Sequence, residues 1–105
     1  MLTVKLQQQE SGLNLSLYGH AGAGEWGKDI VCAAASILAY TAAASAGQLH
    51  REGKLKTAPR IRLLPGDASV ELENSPAAEE LMQTICTGYR LLALRYPENI
   101  RFVKD

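Results

Sequence analysis

Two side chains in this sequence are suited to nucleophilic chemistry, and they lie close together along the chain. His20 closes an alternating apolar stretch, and Cys32 follows twelve positions later at the head of an alanine-rich run. A thiolate can attack a carbonyl carbon, and an imidazole within reach of the sulfur can take its proton and pass it to a leaving amine. A helix starting near Asp29 would put Cys32 in its first turn. Free backbone amides and the helix dipole there favour a negatively charged sulfur. The competing reading makes Cys32 a small buried residue among alanines, and His20 a loop histidine or a cap on a backbone carbonyl. Asp29 and Ser36 lie three before and four after Cys32, so the three share one helical face. Asp29 either caps the helix or orients the ring of His20. Ser36 either faces a substrate or bonds back to its own helix.

The stretch from Gly19 to Gly27 holds four glycines. Within it, Gly22, Gly24 and Gly27 fit the outline of a dinucleotide-binding fingerprint. The context argues against that reading. The strand before it closes an antiparallel hairpin, and the segment after the helix carries Arg60 and Arg62 where an acidic strand end is needed. The glycines are better read as a mobile loop that opens and closes over a site, with Trp26 as its lid or anchor. Cys86 falls in the middle of a second helix and reads as structural. His50 sits with Arg51 and Lys54 in a solvated segment. Cys32, Cys86, His20 and His50 show no ligand pairing of the zinc type, so no metal and no cofactor are expected.

The elements that must position these residues follow from periodicity. Leu2, Val4 and Leu6 alternate with polar residues, as do Leu13, Leu15 and Leu17, which predicts a β-hairpin. A helix is predicted from about Asp29 to Ala46, with Ile30, Ala34, Ile37, Leu38 and Thr41 as its recurring positions and Gly47 as its stop. Residues 48–59 read as a polar, somewhat basic loop. A second hairpin follows, with Ile61 and Leu63 before Pro65-Gly66 and Val70 and Leu72 after. Ser75-Pro76 opens a second helix with Glu79 and Glu80 near its positive end. Its apolar stripe is Ala78, Leu81, Met82, Ile85, Tyr89, Leu92 and Tyr96, and Pro97 ends it. Ile100 and Phe102 form a last short strand. The expectation is an α+β domain spanning 1–105, with a largely antiparallel five-stranded sheet and two helices in the order ββαββαβ.

Composition bounds the rest. The chain has 105 residues, and its eleven basic side chains balance eleven acidic ones. Such a chain has no general attraction to nucleic acid or to an anionic membrane. No apolar run approaches the ~20 residues of a membrane span, and the first residues do not pattern as a signal segment. Two cysteines 54 positions apart make no disulfide framework. The expected location is therefore cytoplasmic.

Gly19-His20-Ala21, the glycine-rich loop and Asp29-Ile30-Val31-Cys32-Ala33-Ala34-Ala35-Ser36 together resemble the ribosomal-processing cysteine protease family, Prp. The order of elements and the small size fit as well. The resemblance implies a bacterial cytosolic endopeptidase that removes a short N-terminal extension from a large-subunit ribosomal protein, number twenty-seven. It also implies a homodimer with a mobile loop over the site. Cys32 would be the nucleophile and His20 its base, with Gly19, Asp29 and Ser36 on further motif positions. The alternative is a non-catalytic ribosome-associated binding or dimerisation module that uses residues 48–59.

Overall fold

The computed structural model describes residues 1–20 and 26–105, those from 26 to 29 by their backbone alone. Strands β1 (Leu2–Gln9) and β2 (Gly12–Gly19) form the first hairpin, and helix α1 spans Trp26–Arg51. Strands β3 (Arg60–Leu64) and β4 (Asp67–Leu72) form the second hairpin, followed by helix α2 (Pro76–Arg95) and strand β5 (Ile100–Lys104). The order is ββαββαβ, as expected. The sheet runs β3-β4-β2-β1-β5, with every neighbouring pair antiparallel except β1 and β5.

Alternation explains why the sheet has one dry face. Leu2, Val4 and Leu6 of β1 stand beside Leu13, Leu15 and Leu17 of β2, and all six are buried. Val70 and Leu72 of β4 and Ile100 of β5 extend that surface. Each such side chain contributes about 1.5–3 kcal/mol by leaving water. Both helices pack on this face. Ser75 caps α2 by accepting a hydrogen bond from the Ala78 amide at 3.2 Å, and Pro76 occupies the first turn, where a missing N–H costs nothing. Tyr89 is fully buried and its hydroxyl donates to the Ala35 carbonyl at 2.8 Å, which ties α2 to α1. A Cβ at Gly88 would lie 2.8 Å from Leu38 Cδ2, so the two helices approach closely there.

Helix α1 departs from expectation in three ways. It starts at Trp26, so Trp26 and Gly27 belong to the helix and not to the loop. It ends at Arg51, so Gly47 does not stop it, and His50 and Arg51 form its last turn. Its core face is also different. Val31, Ala35, Ala39, Ala42, Ala43 and Ala46 are buried, whereas Ile30 and Ile37 are more than half exposed and Thr41 is exposed. Alanines let the helix backbone lie close to the leucines of the sheet, which fill the space that larger helical side chains would need. The stretch Ile30–Arg51 is long and apolar enough to cross a membrane, contrary to the reading of the sequence. Its alanine face belongs to the core cluster with the sheet, which marks it as a core helix.

Candidate active site

Backbone geometry at the end of β2 fixes where His20 stands. Gly19 has φ of +94°, a region that side chains avoid, and a Cβ there would meet the Met1 carbonyl oxygen at 2.6 Å. Its N–H donates to the Gly66 carbonyl at 3.1 Å. Glycine is thus required before the histidine for steric reasons. The imidazole of His20 then lies against Gly66, in the two-residue turn Pro65-Gly66 that joins β3 to β4. A Cβ on Gly66, whose φ is +72°, would sit 2.8 Å from His20 Cε1 and 2.9 Å from Nε2.

Helix α1 supplies the other wall. Cys32, Ser36 and Tyr40 recur every four residues along one flank and line a cleft of about 360 Å³ together with Gly19 and His20. Ala35 and Ala39 lie alongside them, and Leu63, Leu64, Pro65 and Gly66 close the far side. Cys32 is a half-buried free thiol, and His20 is exposed at the mouth. Asp67 also lines the cleft and pairs with Arg62 at 3.0 Å. A thiol, an imidazole and a hydroxyl therefore line one largely apolar cleft, residue types that nucleophilic attack on a peptide carbonyl calls for.

Of the residues singled out from sequence, Cys32, His20, Gly19 and Ser36 come together here. Asp29 and Trp26 lie in α1 with their side chains outside what is described, Gly27 is described by its backbone in the same helix, and Gly22 and Gly24 are wholly outside the described residues. Because α1 starts at Trp26, Cys32 is its seventh residue and stands in the second turn. The unpaired amides of the first turn are therefore not its immediate neighbours, which corrects the first-turn placement. Cys86 is 1% exposed in the core, and burial pushes its thiol up, so it is a packing residue. His50 is half-buried in the last turn of α1, away from the cleft.

Tyr40, Leu63, Leu64, Pro65 and Gly66 were not legible as site residues. Tyr40 carried a signal, since it continues the four-residue stripe of Cys32 and Ser36. The turn carried none beyond its Pro-Gly chemistry, because only the tertiary fold brings it to His20. A second cleft, of about 460 Å³, lies at the other end of β3, lined by Asn14, Thr57, Arg60, Glu71 and Glu73 among others. No cysteine or histidine lines it among the described residues.

Comparison with known proteins agrees with this chemistry. The chain is similar over its full length to an essential ribosomal processing protease, Prp, of S. aureus, solved with a covalently linked product peptide: 27% identity, 100% of both chains covered and a TM-score of 0.77. A structure of the S. aureus protease with a substrate peptide gives 25% identity, 100% coverage of both chains and a TM-score of 0.76. A protein of Streptococcus mutans shares the fold, at 24% identity, 99% and 93% coverage and a TM-score of 0.75. Comparison with curated proteins gives no match. The family model for cysteine protease Prp matches residues 1–101. With the motif, the fold and that match in agreement, the chain belongs to the cysteine protease Prp family and is a cysteine protease, which retires the non-catalytic reading.

Proposed function

We propose that this protease removes the N-terminal extension of a large-subunit ribosomal protein, number twenty-seven, during ribosome assembly, with Cys32 as nucleophile and His20 as its base. One observation carries the dyad. His20, at the end of β2, and Cys32, on the flank of α1, line the same cleft, and no other cysteine or histidine does so among the described residues. His20 takes the thiol proton, and the Cys32 sulfur attacks the scissile carbonyl. Collapse of the tetrahedral species forms a thioester and releases the amine, which receives the proton from His20. Water, deprotonated by His20, then hydrolyses the thioester and frees the new carboxylate and the thiol. Ser36, one turn beyond Cys32, offers a hydroxyl to the bound peptide. Gly19 and Asp29 complete the supporting set, Gly19 by permitting the backbone that presents His20.

The resemblance further supports a homodimer acting in the bacterial cytoplasm. The helix layer offers a surface for it, since Ile30, Ile37, Leu91 and Leu94 are 57–79% exposed on two helices that pack together.

The test is incubation with the N-terminally extended ribosomal protein from the same organism, read by mass spectrometry. One cut near the N-terminus is expected, abolished in Cys32→Ala and slowed by roughly 10²–10⁴-fold in His20→Ala. Cleavage by Cys32→Ala at the normal rate would remove the nucleophile from this assignment.

A further inference from the structure

Strand β3 is exposed at all five of its residues. The register puts Ile61 and Leu63 on the helix side of the sheet, opposite Val70 and Ala68. Val70 is 1% exposed, yet Ile61 is 45% and Leu63 37% exposed. The helices thus cover β4 and stop short of β3. Arg60 and Arg62 point to the opposite face and are tied back to Glu71 and Asp67, at 3.9 and 3.0 Å. Exposed edges are normally blunted by a covering helix, an inward charge or a proline within the strand. Residues 60–64 carry none of these three; the strand is short and its two charges, Arg60 and Arg62, lie on the face away from the helices and are paired, which leaves the apolar face open. The strand also connects the two clefts, because Leu63 and Leu64 line the one with Cys32 and Arg60 lines the other. The sheet's other edge, β5, lines neither.

We propose that the free edge of β3 is the docking rail for the substrate main chain, an extended peptide that pairs with β3 and continues past Leu64 into the cleft of Cys32. This rests on the protease reading above and names how its substrate is held. Antiparallel pairing with β4 uses the N–H and C=O of alternate β3 residues, and the remaining residues point theirs outward. An added strand satisfies them and lays every second side chain over Ile61 and Leu63, so apolar residues are favoured at those positions. Five extended residues span about 16 Å, so the rail holds about five substrate residues on one side of the scissile bond.

The experiment uses a synthetic peptide of about twelve residues spanning the junction of the extended ribosomal protein, bound to full-length Cys32→Ala protein and followed by titration calorimetry. Single N-methyl groups are placed along the peptide in turn, which removes one main-chain donor at a time without altering the protein. Loss of affinity by roughly fivefold to tenfold at alternate positions, with the positions between unaffected, is expected for lost main-chain hydrogen bonds. Leu63→Asp should weaken binding comparably. An even or absent response along the peptide, or unchanged binding by Leu63→Asp, overturns the rail. Concentration-dependent protection of the β3 amides in peptide-free protein overturns it too, by placing a second copy on the edge. Alternation in binding without cleavage by the unaltered protein would keep the rail and sink the dyad. Cleavage without alternation would do the reverse.

Discussion

At the scale of single residues, one constraint on His20 comes from a glycine far from it in sequence. Gly66 faces the His20 ring with no room for a methyl group, and its own φ of +72° disfavours one. Its role is positioning, since it acts through the imidazole. Gly66→Ala should lower kcat/KM on the order of 10²-fold, the cost of moving a reacting group by about 1 Å. The pH–rate profile should change with it, whereas thermal unfolding should move little beyond the strain of the turn. An unchanged rate and profile would show that His20 is placed by something else. Gly19 is the counterpart on the other side, held by its bond to Gly66 and by the nearness of Met1.

At the scale of elements, the two hairpins and α2 were legible because each carries its own local signal. Leucine alternation with a polar turn marked β1 and β2, and Ser75-Pro76 marked the start of α2. Helix α1 was legible as a helix but not in its orientation. Its isoleucines look like a core stripe in one dimension, and only the leucine-rich sheet decides that the alanines go inward. Its start was misplaced for a related reason: glycines at 19, 22, 24 and 27 read as one loop, although Gly27 lies inside the helix. The Cys-His pair was visible from residue type and spacing, whereas the β3–β4 turn that completes the cleft was not. Element junctions also carry pH dependence. The Thr57 amide donates to Glu73 at 2.7 Å and its hydroxyl at 3.0 Å, fastening the segment before β3 to the end of β4. Those hydrogen bonds hold the Glu73 carboxyl below the usual carboxylate range. A folded-state value below the unfolded one stabilises at pH above the unfolded value and loses that effect as pH falls through the folded one. Glu73→Gln, which mimics the protonated state, should therefore lower Tm at pH 7, with the gap to the unaltered protein closing toward pH 3. A gap that stays constant with pH would refute this.

At the scale of the whole molecule, the helices carry large apolar side chains on the face turned away from the sheet. Isolated apolar side chains on a surface are ordinary, but Ile30, Ile37, Leu91 and Leu94 are four large ones exposed on two helices that pack together. If the proposed homodimer forms through this face, Ile37→Glu with Leu94→Glu should give a monomer where the unaltered protein gives a dimer in light scattering at micromolar concentration, while leaving the fold intact by circular dichroism. Equal masses for the variant and the unaltered protein would refute that interface.

The parallel pairing of β1 with β5 has a consequence for how the enzyme comes into being. Leu2 lies beside Ile100, so the first strand is flanked by the last. Closing that pairing spans nearly the whole chain, and loop-closure entropy must be overcome before the contact repays it. Until then one side of β1 is an open edge, and Tyr89 lacks the Phe102 ring that stacks on it at 6.4 Å. His20 follows β2 and Cys32 lies in α1, both far ahead of β5 in the chain, so the strand that completes the sheet follows both of them. The β1–β5 pairing is therefore expected to be a late contact in folding, made by an edge strand that does not line the cleft.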